Sequence, residues 1–542
     1  MSTTADAVAA GIPAHAPEAV APMKIPWLGV GAVLLGTFIS TVNTRLSTFG
    51  LADIRGAVHA SFDEGAWITT AQAVAQMLVA PLAVWLGAVF GARRVLMEAA
   101  IAFTVISFIA PFSVNLPMLL SLQFASGLAS GFFVPLTLSF VLRNMPPRIW
   151  AYGIAIYALN LEVSLNISAS LEGWYIDHLS WRWIYWQNVP LAAAMAACLY
   201  AGIHAEPRNP NPPKADWFGF AFGGTGLALV YAALDQGNRL DWQNSPLVWG
   251  LMLAGVLVIA AFFVHEWSCE CRVVDFDVIF RPPMPRLFTL ISFLRLTLLS
   301  TAYVIPQFLG VVRGFRTIEI GQTLVWIAIP QLLVCLLGGY LLRRSDPRLV
   351  ASVGFLCISC ACLMVAYGLT PLWGTDQFLP SQLLQAVGQS FALSGTIFFG
   401  ILHLRPQDAL TFGATLQVAR LFGGEIGQAF IVTFVRVREQ VASNLIGQHI
   451  QIGDGQVLQR VQAYAAATAS AGDSQSSAAR GAVTLARLVR QLATTQAIID
   501  ALVVIAALTL VTLMVIITRR AAPLGPASHV PFFRAPSAPS DA

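Results

Sequence analysis

Stretches of mostly apolar residues recur along almost the whole chain, separated by short polar connections. There are fourteen, near 27–48, 66–89, 95–114, 117–142, 150–173, 183–204, 217–235, 247–267, 287–310, 319–342, 349–369, 378–402, 410–436 and 497–518. About twenty such residues cross the hydrocarbon core of a bilayer. Lipid offers no water to backbone N–H and C=O groups, so each stretch is predicted to be a helix. One of them tests that rule, because LNLEVSLNISASLEGW (159–174) alternates apolar and polar residues as a half-buried strand does. A lone strand in lipid would leave its backbone unpaired, so helix is again predicted. On a helix Asn160, Ser164 and Ser168 share one face, and Glu162, Asn166 and Ser170 share another.

Three regions break the pattern. Residues 438–496 form a long polar stretch between the last two spans. Its NLIGQHIQI and AVTLARLVRQLATTQAIIDA segments carry helical periodicity, while ATASAGDSQSSAARG between them is loop-like. A connection of that length is a functional or flexible element, read here as a helical cap or a docking point for an adaptor. The Ala/Pro-rich residues 1–25 and the Pro/Ala/Ser-rich residues 521–542 are expected to be disordered tails, and the first has no signal-peptide pattern.

Composition agrees with a lipid-solvated chain: 57% of residues are hydrophobic and only 11% charged, against about 25% charged in a soluble protein. A net charge of +4, with the basic residues dispersed, excludes nucleic acid as an expected partner. The seven cysteines give no disulfide framework, and Cys269-Glu-Cys271 supplies too few ligands for a metal, so no metal or cofactor is expected. The eight histidines are scattered without a nucleophile–base pair or a metal set, which argues against an enzyme. Lys and Arg set the orientation. Counted over the short connections, thirteen lie in even-numbered ones and five (Arg55, Arg182, Arg239, Arg313 and Arg316) in odd-numbered ones. Even connections and both termini are therefore expected in the cytoplasm, with 438–496 outside.

Polar residues inside the spans are the candidate chemistry. Glu162 lies about 12 residues into its span, roughly 18 Å deep at 1.5 Å per residue, close to mid-membrane. A carboxylate there must be paired, hydrated or protonated. Glu425 lies at a similar depth after Arg420 and the Gly423–Gly424 pair, so it reads either as a titrating group or as the structural partner of Arg420. Arg295 is a third deep charge. Arg45, two residues after Asn43, either favours an anion or a carbonyl near the end of span 1 or snorkels to the headgroups. Arg94 and Glu98 are spaced for an ion pair at the membrane edge.

Several segments resemble the major facilitator superfamily. GAWITTAQAVAQMLVAPLAVWLGAVFGARR (65–94) is similar to its second span and following loop, in which Gly87, Gly91, Arg93 and Arg94 form the conformational loop. SWRWIYWQNVPLA (180–192), LDQGNRLDWQ (234–243) and VIPQFLGVVRGF (304–315) resemble the fourteen-span drug:proton antiporter branch of EmrB/QacA type. The resemblance implies an all-α fold of two six-helix bundles, 26–205 and 271–520, with two inserted helices at 206–270. It further implies a multi-pass protein of the cell inner membrane that exports small amphipathic compounds by proton antiport, with a periplasmic adaptor and an outer-membrane channel as partners. Rival readings are an exporter of one metabolite or siderophore-like anion, and a transporter-derived sensor.

The chain departs from that branch at its coupling positions. Asn43 replaces an acid, Gln123 an arginine, and Ser168–Ala169 a Gly-Pro pair, while Ala88 stands where many relatives carry Asp. Asn43 and Gln123 cannot exchange protons, so Glu162 and Glu425 are the expected proton-coupling residues. By the same resemblance, spans 1, 4, 5, 9, 12 and 13 should line the cavity. Its substrate-binding residues are then Asn43, Arg45, Gln123, Asn160, Asn166, Arg295, Gln385 and Gln389, with Ser390 beside them.

Overall fold

The computed structural model describes residues 27–203, 214–269, 279–280, 284–404, 409–450, 454–467 and 474–518. The two tails and Cys271 lie outside the described residues. The apolar runs form helices α1 (Trp27–Phe49), α2 (Trp67–Phe90), α3 (Ala92–Ile109), α4 (Leu116–Asn144), α5 (Trp150–His178), α6 (Asn188–Gly202), α7 (Trp217–Gly237), α8 (Pro246–Ser268), α9 (Met284–Val312), α10 (Thr317–Arg344), α11 (Pro347–Gly368), α12 (Thr375–Ile401), α13 (Ala409–Gly447) and α14 (Ser474–Ile517). Among the described residues thirteen of these are long and apolar enough to cross a membrane, and α6, with 15 residues, is shorter. The strand-like stretch in α5 is helical throughout.

Helices α1 and α3–α6 pack on one another, with α2 against α4. Helices α9–α14 make a second bundle through the pairs α9–α13, α10–α12, α11–α12, α11–α14 and α13–α14. The inserted pair packs on itself, and α7 lies against α2 and α13. Most of α8 faces away from the protein, whereas α12 is buried along nearly its whole length. The fold is thus all-α, two six-helix bundles with two added helices.

The bundles meet along two seams. At the first, α5 and α10 approach backbone to backbone: a methyl on Gly173 would stand 2.5 Å from the Ile318 main chain, and one on Gly321 2.5 Å from that of Ser170. Small residues permit such contact between membrane helices. At the opposite end Gly339 lies under the Tyr152 ring. At the second seam α13 meets α2, the second half of α4, and α7.

Proline shapes two helices. In α4 the regular turn is interrupted at Gly131–Phe132, four residues before Pro135, whose ring nitrogen has no proton for the Gly131 carbonyl. In α9 the chain widens into π-helical turns over Ser300–Val304 and Phe308–Val312, flanking Pro306.

The stretch after span 13 differs from its sequence reading. Helix α13 continues unbroken to Gly447, a further helix runs from Gly455 to Ala467 against α14, and α14 begins at Ser474, inside the segment read as loop-like. Ser suits a first helical turn and the following Ala and Arg are strong helix formers. The Gly455–Ala467 helix gives that segment a partner, with Gly481 against the Val461 carbonyl.

Candidate functional site

At the middle of the first seam lies a knot of carboxylate, amide and hydroxyl groups contributed by both bundles. Glu162 of α5 is fully buried. Its Oε2 accepts from Gln331 Nε2 of α10 and from Ser390 Oγ of α12, each at 3.3 Å. Its Oε1 has no hydrogen-bond partner. One turn on, Asn166 Nδ2 donates to Gln389 Oε1 at 3.1 Å and Gln331 Oε1 at 3.3 Å. Gln389 in turn donates to Thr301 of α9 at 2.9 Å, and Gln385 donates to Ser300 at 3.2 Å. The face predicted for Glu162 and Asn166 is therefore the one turned to the other bundle. Among the described residues no cation forms an ion pair with Glu162.

The sequence reading missed Gln331, which joins these groups. A signal was present: an amide directly after Pro330 inside an otherwise apolar run, WIAIPQLLVCLL.

Asn43 and Arg45 part company. Two residues on a helix are about 160° apart in the shorter direction, and the two side chains serve different neighbours. Asn43 is buried in the first bundle, where its Oδ1 accepts from Asn188 Nδ2 of α6 at 2.7 Å. Arg45 crosses to the second bundle and donates from Nη2 to the Ala302 carbonyl of α9 at 2.9 Å, its guanidinium over the Phe49 ring. That carbonyl is four residues before Pro306, so the helix itself cannot satisfy it in the α-helical way. Arg45 thus finds its carbonyl inside the protein and does not snorkel to headgroups. Arg295, two turns earlier on α9, is half-buried beside Gly424, with no carboxylate in ion-pair range among the described residues.

The alternative of an Arg420–Glu425 pair is not what the structure shows. Five residues place the two side chains about 140° apart around α13. Arg420 donates to Gln417 Oε1 at 3.1 Å and turns towards Tyr157 of α5. Glu425 points instead to the inserted helix α7, where it meets the Tyr231 hydroxyl.

Other candidates lie elsewhere. Gln123 is buried within the first bundle, donating to the Tyr185 hydroxyl at 3.1 Å, so α4 adds nothing to the central knot through it, whereas α10 does. Asn160 takes part through its backbone carbonyl, which accepts from Ser164. In the connection after α2, Gly91 adopts φ +79°, a left-handed conformation suited to glycine, and lets α3 begin at once. Gly87 is buried nearby, Arg93 donates to the Tyr200 carbonyl of α6 at 3.1 Å, and Arg94 pairs with Glu98 at 2.9 Å on the surface. Cys269 comes close to His265 and Asp216. Asp216 is already engaged there, capping α7 through the Gly219 N–H and bonding His265 at 2.9 Å.

Comparison with known proteins follows the same line. The sequence matches the Major Facilitator Superfamily over residues 33–428. It is 23% identical over 414 residues to the multidrug export protein EmrB of Escherichia coli K12, covering 76% of this chain and 80% of that one. It is 22% identical over 429 residues to the fatty acid resistance protein FarB of Neisseria gonorrhoeae, covering 77% and 82%. The fold aligns with the crystal structure of the human organic anion transporter MFSD10 at a TM-score of 0.55 and 15% identity, covering 91% of this chain and all of that one.

Proposed function

Because the chain belongs to the Major Facilitator Superfamily, as a divergent EmrB-like membrane transporter and not an enzyme, we propose that it exports small amphipathic compounds in exchange for protons, with Glu162 as the coupling group. One observation carries this reading: a fully buried carboxylate in the seam between the bundles, one oxygen bonded to the opposite bundle and the other unpartnered. Rocking of one bundle against the other would break the bonds to Gln331 and Ser390 and turn Glu162 to the opened side. A proton taken up there neutralises the charge before the seam closes again. The amide groups of Asn166, Gln385 and Gln389 offer polar contacts to a bound compound at the same level.

Substrates of this site are anionic or neutral. Arg45 and Arg295 are fixed cations near the seam, and the acid usual in span 1 is Asn43. FarB, named for resistance to fatty acids, is a relative whose name fits an amphipathic anion. The transporter sits in the cell inner membrane with both termini in the cytoplasm. The helical extension of α13 and α14 then stands outside, where a periplasmic adaptor leading to an outer-membrane channel would dock.

The test is uptake into proteoliposomes carrying a pH gradient, with the anionic amphipath anilinonaphthalene sulfonate as probe. Glu162→Gln should abolish gradient-driven transport while binding of the probe persists. Full gradient-driven transport by this variant would reject Glu162 as the coupling group.

A further inference from the structure

The inserted helix α7 carries a line of polar groups that the central site leaves unused. Near the end of the molecule that bears the α13–α14 extension, exposed Asp63 pairs with Arg239 at 2.7 Å, and Arg239 Nε donates to Gln236 Oε1 at 2.8 Å. Gln236 Nε2 bonds Thr70 Oγ1 of α2 at 2.6 Å and Asp235 Oδ2 at 3.1 Å, and Thr70 also donates to Asp235. One helical turn deeper on the same face of α7 is Tyr231, in a cluster against which Leu421 and Phe422 of α13 pack, with its hydroxyl beside Glu425. Beyond Glu425, next to Gly424, stands Arg295, between this line and Glu162.

Exposure falls along the line. Asp235 is half-buried, Tyr231 is 9% exposed and Glu425 5%. A phenol one helical turn from the outer carboxylate and beside the inner one, with only the outer end reachable by water, gives the line the order of a relay. The charged and titratable groups facing Glu425 are Tyr231 and Asp235 of α7, while Arg295 of α9 faces Tyr231 and Asp235 faces Arg239 of its own helix. From α2 comes the Thr70 hydroxyl, which does not titrate.

We propose that Asp235, Tyr231 and Glu425 form a proton relay, built around the inserted helix, that loads a second proton site from the end of the molecule bearing the α13–α14 extension. A proton arriving on Asp235 passes to the Tyr231 oxygen as the phenol gives its own proton to Glu425. The phenol is restored, Asp235 is ionised again, and one proton has moved inwards with no other change. The inserted pair then belongs to the coupling machinery and is more than a lipid-facing brace. The proposal rests on the proton-antiport reading of the central site.

The experiment compares two modes of transport of the same probe, anilinonaphthalene sulfonate, in proteoliposomes. Uptake driven by a pH gradient needs net proton movement, whereas exchange of internal for external probe without a gradient does not. Asp235→Asn and Tyr231→Phe should slow gradient-driven uptake at least about tenfold, with exchange at the wild-type rate. Gradient-driven uptake like the wild type in both variants would overturn the relay while leaving Glu162 as coupling group. Loss of exchange together with uptake would overturn it also, assigning the residues to folding or binding. A wild-type protein indifferent to the gradient would defeat the relay together with the antiport reading.

Discussion

The α5–α10 seam and the wedge where α7 meets α2 and α13 both bury a carboxylate, in different company. At the seam, backbones touch through Gly173 and Gly321, and Glu162 is bonded by a side-chain amide and a hydroxyl from two other helices. In the wedge, Glu425 faces a phenol, and a chain of hydrogen bonds begins one turn away and runs to an exposed acid. The first arrangement holds one group that must separate from its partners whenever the bundles part. The second stays within contact of α7 and leads to one end of the molecule.

Substitutions can break this contrast or sharpen it. The largest effect should come from Gly321→Leu. Its new atoms would start 2.5 Å from the Ser170 backbone, and neither helix can yield without opening the seam. Loss of most folded protein in fluorescence-detected size-exclusion chromatography is expected, and wild-type yield would show that the seam is looser than its geometry. Next comes Gln331→Leu, which removes a donor to Glu162 and both amide contacts to Asn166 and Gln389. Leaving buried groups unpaired costs roughly 1–3 kcal/mol, to be read as a lowered midpoint of thermal unfolding, while the corresponding change in the wedge, Thr70→Val, should cost less because Gln236 still bonds Asp235.

Arg45→Ala should weaken export of an anionic probe more than that of a neutral one, by about tenfold in apparent affinity if one partly desolvated charge contact is lost. Strong export of ethidium by the wild type, unchanged in the variant, would sink the charge argument. The smallest effect belongs to Glu98→Gln. Its pair with Arg94 is exposed on both sides, and such pairs contribute up to about 1 kcal/mol. Orientation has its own check: after replacement of the native cysteines, Gln459→Cys on the exposed helix after α13 should react with an impermeant thiol reagent in intact spheroplasts. Labelling only after lysis would invert the topology.

Much of this was legible in the sequence because lipid leaves the backbone few choices. Fourteen apolar runs gave fourteen helices, even where α5 alternates like a strand. The face of α5 that carries Glu162 and Asn166 followed from helical spacing alone, although the identity of the facing Gln331 did not, since which helices meet is set by tertiary packing. The supposed Arg420–Glu425 pair failed for a related reason: five residues are near in sequence and far around a helix. Asn43 and Arg45, taken together as one polar end of α1, proved to serve two different interfaces. The α7 line was out of reach because its residues come from α2, α7 and α13, each of which reads by itself as an ordinary span with a few polar positions.

The length of α13 and α14 has a mechanical consequence. At 1.5 Å per residue the 44 residues of α14 reach about 66 Å, against a hydrocarbon core of about 30 Å. Pivoting within its apolar C-terminal part, the helix would act as a lever with a long arm packed against α13 and the Gly455–Ala467 helix. A tilt of about 10° in the second bundle, modest beside known subunit rotations, would sweep the tip through about 8 Å. Motion too small to follow at the carboxylates becomes large at the far end of the arm, where distance labels on the Gly455–Ala467 helix would record each stroke.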